Sequence, residues 1–201
     1  MNGSRWTDYY ESQGDRAPRD LLTSTLDAFG PGARDAIDLG CGTGIETVAI
    51  LRRGWRVFAV DAEQVGIDRL LVRTSPQERE RLHAEVGSIE DAELPTADLV
   101  WAGYSLFFIP PQRFATTWGN VRASVRPGGR FAGQVLGERD SWAAGGDVNA
   151  HGRADAEALF DGWALERFDE EENDGDACSG PKHWHLFHVV ARAPGELRPA
   201  L

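Results

Sequence analysis

Basic residues are scarce in this 201-residue chain: 21 Lys and Arg stand against 32 Asp and Glu, a formal net charge of −11. Nucleic-acid binding draws most of its affinity from cationic side chains that displace counterions around phosphates, so DNA and RNA are excluded as expected partners. Long apolar runs are also missing. No stretch approaches the roughly 18 apolar residues of a membrane span, and Met1 to Asp8 lacks the apolar segment of a secretion signal. Together these absences predict a cytoplasmic protein with no membrane partner. Cysteine is limited to Cys41 and Cys178, which in a reducing compartment read as thiols and not as a disulfide. Internal repeats and low-complexity tracts are absent too.

What is present describes one folded unit. An apolar share of 41% with 26% charged residues suits a soluble core, and 201 residues fit a single domain spanning 1–201. Turn residues and apolar runs divide it into a head and helix (1–30), a binding core (35–136), a polar glycine-rich segment (137–152) and a closing helix and hairpin (153–192). The spacing predicts helices over 19–29, 43–53, 64–72, 110–125 and 154–160, and strands over 35–39, 55–60, 83–86, 97–102 and 130–136. Arg126-Pro127-Gly128-Gly129 reads as a turn. Two last strands, 164–168 and 182–192, read as a hairpin joined by the acidic connector 169–176. The fold class is therefore α/β: a doubly wound, mostly parallel seven-stranded sheet with a C-terminal antiparallel hairpin and helices on both faces.

Chemistry concentrates at Asp38-Leu39-Gly40-Cys41-Gly42-Thr43-Gly44, between the first strand and its helix. Glycines there let the chain turn tightly and let a ligand approach where a Cβ would collide. The dinucleotide fingerprint Gly-x-Gly-x-x-Gly is not met, because Ile45 occupies the third glycine's place. Asp38 would sit badly beside a pyrophosphate and suits a positively charged ligand. Asp61 closes the second strand about 20 residues past the turn, the separation at which a carboxylate reaches ribose hydroxyls. Glycine turn and Asp61 together predict a nucleoside-bearing cofactor.

With Gly87-Ser88-Ile89-Glu90-Asp91 and Arg126-Pro127-Gly128-Gly129 added, the chain resembles the class I (Rossmann-like) S-adenosylmethionine-dependent methyltransferases across residues 6–192. More loosely it is similar to small bacterial methyltransferases of the tellurite-resistance and thiopurine type. The resemblance implies S-adenosyl-L-methionine as cofactor, S-adenosyl-L-homocysteine as product, and a small-molecule methyl acceptor. By that resemblance Asp38, Gly40, Gly42 and Gly44 hold the methionine part, Asp61 the ribose, and Ala62, Ser88, Ile89 and Glu90 the adenine. Gly103 and Tyr104 would face the sulfonium, Tyr10 with Trp6 and Tyr9 would cover the cofactor, and Arg16 would meet its carboxylate. Gly103-Tyr104-Ser105-Leu106 departs from the Asn-Pro-Pro-Tyr motif of amino-group methyltransferases, so the acceptor atom is not legible.

Methyl transfer from a sulfonium needs alignment and dryness more than a nucleophilic side chain. Tyr104 and His185 are the candidate catalytic residues, with His151 and His183 as further bases should the acceptor carry a proton. The segment 137–152, with Asp140 and Trp142, reads as a lid. His183, His185 and His188 invite a metal, yet strand alternation brings at most two of them to one face, so no metal is expected. Two rival functions stay open: a non-catalytic domain that binds the same cofactor, and an NAD-dependent oxidoreductase.

Overall fold

The computed structural model describes residues 6, 9, 10, 14–177 and 180–200. Cys178 and most of the opening head lie outside the described residues; Cys41 is a buried free thiol.

From Asp20 onward helix α1 (Asp20–Ala28) is followed by alternating strands and helices: β1 (Asp35–Leu39), α2 (Ile45–Arg52), β2 (Arg56–Asp61), α3 (Gln64–Arg73), the short α4 (Pro76–Arg79) and β3 (Leu82–Val86). Next come β4 (Ala97–Ala102), α5 (Pro111–Ser124), β5 (Val125–Gly137), β6 (Ala150–His151), α6 (Arg153–Ala158), β7 (Ala164–Ala177) and β8 (Gly180–Arg192). The sheet order is β3-β2-β1-β4-β5-β8-β7, with β6 beside β5. Strands β1 to β5 pair in parallel, and β8 runs antiparallel to both β5 and β7. Every residue of β4 is buried, as expected of a central parallel strand covered on both faces.

Strand alternation splits the core between those faces. On one, Leu22 and Leu26 of α1, Leu51 of α2 and Leu70 of α3 pack on Leu99, Trp101 and Ala132. On the other, Trp118 and Val121 of α5 and Phe160 pack on Ile37, Leu39, Val100 and Phe131. Among the described residues no helix is long and apolar enough to cross a membrane.

Three local expectations are corrected. Arg126 to Gly129 belongs to β5: Gly128 takes φ +72° inside the strand and the β4–β5 register shifts between Ala97 and Leu99, so the turn chemistry makes a bulge. The acidic run 169–176 is strand, because its carboxylates face basic partners: Arg139 bridges Glu170 and Glu172, and His188 meets Glu171. The eighth strand, β6, comes from the segment read as a lid. That segment is tied to the body by Asn149 Nδ2 donating to the Ile109 carbonyl, by Ser141 Oγ accepting from the His183 N–H, and by a buried Lys182–Asp140 ion pair.

Candidate functional site

The turn after β1 works because of two left-handed glycines with close neighbours. Gly40, at φ +72°, has Ser105 so near that a Cβ would lie 2.6 Å from it; Gly44, at φ +80°, leaves 2.3 Å to Leu70. Any side chain at either place meets strain and collision together. The turn is also pinned to its neighbour strand. Gly40 and Cys41 both donate to the Val60 carbonyl, at 2.8 and 3.0 Å, and the Gly42 N–H donates to Asp61 Oδ2 at 2.7 Å.

Above this turn, at the carboxyl ends of β1, β2 and β4, a cavity of about 860 Å³ opens. The structure gathers into its wall Tyr10, Arg16, Asp38, Gly40, Gly42, Asp61, Ala62, Ser88, Ile89, Glu90, Gly103 and Tyr104. Of the expected cofactor residues only Gly44 stands behind the wall, serving the turn. A second depression, about 630 Å³, lies at the amino ends of the strands around Arg56 and His83, away from these groups.

Two carboxyl groups set the electrostatics. Asp38 is 1% exposed and accepts from Thr47 Oγ1 at 2.6 Å. Burial pushes its carboxyl up to about 8 in spite of that hydrogen bond, with Glu46 and Asp61 adding to the rise. Asp61 accepts three hydrogen bonds: besides Gly42 it takes the Tyr10 hydroxyl at 2.7 Å and the Glu63 N–H at 3.0 Å, both on Oδ1. The same carboxylate lines the cavity wall. Burial and Asp61 together raise the Tyr10 phenol far above its ordinary range.

Arg16 reaches the cavity wall in a two-pronged pair with Glu46, at 2.7 and 3.0 Å. The sequence reading missed Arg19, whose guanidinium lies 4.1 Å from the centre of the Tyr104 ring. It also missed Glu46, although an acid on the first turn of α2 beside a cation-favouring Asp38 was a readable signal.

Tyr104 is the one non-glycine with positive φ among the described residues, at 60°. A relay through the buried Gln134 fixes it. Its N–H donates to Gln134 Oε1 at 3.1 Å, which leaves the Gln134 amide nitrogen to donate to His188 Nδ1 at 3.3 Å. His188 Nε2 must then carry the proton, which it donates to Glu171 at 2.7 Å. The His188 bond, more than the opposing burial, holds the Glu171 carboxyl below its ordinary range.

The expected histidines do not join this site. His185 is wholly buried outside the cavity wall; its Nδ1 accepts from the Arg139 N–H at 3.1 Å, so Nε2 donates to Glu170 at 3.0 Å. His183 pairs with Asp174 and Glu172, and His151 packs on Phe114. Glu170, Glu172 and His185 do bring ligand atoms within 4.8 Å of one another, but Arg139 Nη2 already bridges the two carboxylates at 2.7 Å each.

Residues 36–129 match the family model of the methyltransferase domain. Among curated proteins the chain is 31% identical over 125 residues to cypemycin N-terminal methyltransferase of a Streptomyces species, covering 58% of this chain and 48% of that protein. It is 40% identical over 72 residues to magnesium-protoporphyrin O-methyltransferase of Rhodobacter capsulatus, 36% of this chain and 32% of that one. The chain thus spans half or less of the length of these two relatives. Among solved structures TehB from Haemophilus influenzae superposes with a TM-score of 0.74 at 15% identity, covering 94% of this chain and 67% of that one. The 1,6-didemethyltoxoflavin-N1-methyltransferase of Burkholderia thailandensis gives 0.71 at 18% identity over 95% of this chain and 84% of that one. At such identities these likenesses establish the fold alone.

Proposed function

We propose, from the premise that residues 36–129 carry a methyltransferase domain, that this chain is an S-adenosylmethionine-dependent methyltransferase acting on a small molecule. The observation that carries this reading is the placement of Asp61 and the glycine turn side by side in one cavity wall, with Asp38 buried beneath them.

The residues divide the work. Asp61 accepts from the ribose hydroxyls in the place where Tyr10 now donates. Asp38 faces the methionine ammonium, whose charge restores the ionised carboxylate that burial disfavours. Arg19, with Arg16 held by Glu46, meets the methionine carboxylate, and Ala62 and the half-buried Ile89 flank the adenine, with Ser88 and Glu90 at its rim. The bound cofactor supplies an electrophilic methyl group on a sulfonium.

Beyond Gly103 and Tyr104 the cavity continues to Trp142 and Trp184, where the acceptor sits. No histidine among the described residues lines it, so His185 has no catalytic part in this proposal. Burial raises the Tyr104 phenol against the opposing pull of Arg19, so it keeps its proton and acts as a wall that positions the acceptor. Alignment and exclusion of water then account for the rate.

Calorimetric titration with S-adenosylhomocysteine and with NADH tests the cofactor half. The expected result is binding of the first and none of the second; the reverse would restore the oxidoreductase reading. A methyl-acceptor screen against a metabolite library tests transfer itself, and a chain that binds the cofactor yet methylates nothing would stand as a binding domain.

A further inference from the structure

The acceptor end of the cavity is built from flat rings. Trp6 meets Phe108 edge-on at 5.0 Å, Phe108 meets Trp142 at 5.5 Å, Trp142 meets Trp184 at 5.5 Å and Trp184 meets Tyr104 at 6.3 Å, a continuous belt around the opening. All five rings line the cavity. Belts of this kind hold either a cation or a flat neutral ring, and Lys182 decides between them. It is the chain's single lysine. Its side chain is 2% exposed and its ammonium lies 4.2 Å from the centre of the Trp142 ring and 4.0 Å from that of Trp184, ion-paired with Asp140. The electron-rich character of both tryptophans is therefore already engaged by a built-in cation, which weakens their pull on a second one and leaves them as stacking surfaces.

Charge narrows the choice from the other side. Among the described residues the cavity wall carries seven carboxyl side chains against two guanidiniums, and both guanidiniums lie within 4.0 Å of Glu46. Beyond burial, Glu171 acts on the Tyr104 phenol, raising it, and Asp176 lines the same cavity. An anionic acceptor, whether oxyanion, carboxylate or thiolate, would enter against this field. A protonated amine would have to lose its proton first, and Glu171, bound to His188 and Asn173, is committed elsewhere.

We propose that the acceptor is a flat, uncharged nitrogen heteroaromatic whose ring nitrogen carries its lone pair in the plane, stacked in the belt of Tyr104, Trp142 and Trp184 with Glu171 beside it. The ring nitrogen forms the new C–N bond with its lone pair as the C–S bond breaks, and the bonding pair leaves with sulfur. No proton moves. Positive charge passes from sulfonium to the methylated ring, and Glu171 and Asp176 stabilise it there. Lys182 is a positioning residue, holding the two tryptophans.

This inference rests on the methyltransferase reading, so its test is run on protein shown by calorimetry to bind S-adenosylhomocysteine; failure of that first step would count against the reading and not the acceptor class. With S-adenosylhomocysteine saturating, tryptophan fluorescence is titrated with isoquinoline, quinoxaline and benzimidazole, and with the shape-matched anions 2-naphthoate and 2-naphthalenethiolate. Methyl transfer to each is followed with labelled S-adenosylmethionine. At least tenfold tighter binding of the neutral heterocycles, with label appearing on nitrogen in one or more, is expected. Trp184→Phe and Glu171→Gln each separate the roles: the first weakens heterocycle binding severalfold, the second leaves it near wild type but lowers turnover. Tighter binding or methylation of either anion, or no heterocycle binding by protein that holds S-adenosylhomocysteine, overturns the proposal.

Discussion

The hydroxyl of Tyr10 donates to Asp61 Oδ1 at 2.7 Å, and both residues line the cavity. In the functional reading above, that phenol stands where a ribose hydroxyl of the cofactor would bond. Tyr10→Phe removes the competitor and keeps the ring over Gly42, so S-adenosylhomocysteine should bind equally or a few-fold more tightly in calorimetry. A loss of tenfold or more would assign the phenol to holding the ligand.

Asp38 predicts a pH dependence. With its carboxyl pushed up to about 8, it is largely protonated in the free protein at neutral pH. A cationic amino acid favours the ionised form, so binding releases a proton below pH 8, and affinity climbs from pH 6 to 8 before levelling. Titrations in buffers of different ionisation heat measure that proton directly. The same shift bears on folding: the stability given by the protonated carboxyl is full below about 3.8, its ordinary value, and is lost as pH rises to about 8.

Gly44→Ala should be among the most destabilising changes in the turn. It places a Cβ at φ +80° and 2.3 Å from Leu70, which is fully buried and cannot withdraw. Backbone strain and overpacking each cost about 1–3 kcal/mol, readable as a lowered urea midpoint with unchanged slope.

Lys182→Met leaves Asp140 buried without its cation. Breaking such a pair costs about 3–5 kcal/mol, and Asp140 also accepts from the N–H groups of Trp142 and His185, at 2.9 and 3.1 Å. Adding Asp140→Asn to the first change should recover part of the loss in thermal unfolding. Additive losses would show the pair to be uncoupled.

Gln134→Leu tests the relay. Gln134 is 1% exposed, and its loss orphans the Tyr104 N–H and the acceptor nitrogen of His188. An unsatisfied buried group costs about 1–3 kcal/mol, so chemical denaturation should show at least that loss. Weaker heterocycle binding should accompany it as Tyr104 leaves its left-handed conformation.

The first half of the sheet was legible because its signals are local. β1 and β4 match their predicted bounds, since apolar runs end abruptly at Gly40 and Gly103. The Gly40 turn and Asp61 were readable from spacing along one βαβ unit. The acceptor end was not, because it is assembled across the chain: Tyr104 meets Trp184, and the Tyr104–Gln134–His188–Glu171 relay joins four elements through hydrogen bonds that no periodicity records. Residues 169–176 looked like a solvated loop for the same reason, their partners Arg139, His183, His185 and His188 being distant or on the opposing strand. His185 was singled out for its chemistry, and packing placed it outside the cavity.

The central claim is that Asp61 beside the glycine turn grips the cofactor's ribose. Calorimetry of S-adenosylhomocysteine on Asp61→Ala and Asp61→Asn measures this most directly, the second variant keeping an acceptor for the Gly42 N–H. Losing a hydrogen bond to a charged group costs about 2 kcal/mol, so affinity should fall about 30-fold or more in the alanine variant and less in the asparagine one. Wild-type affinity in both variants would contradict the account.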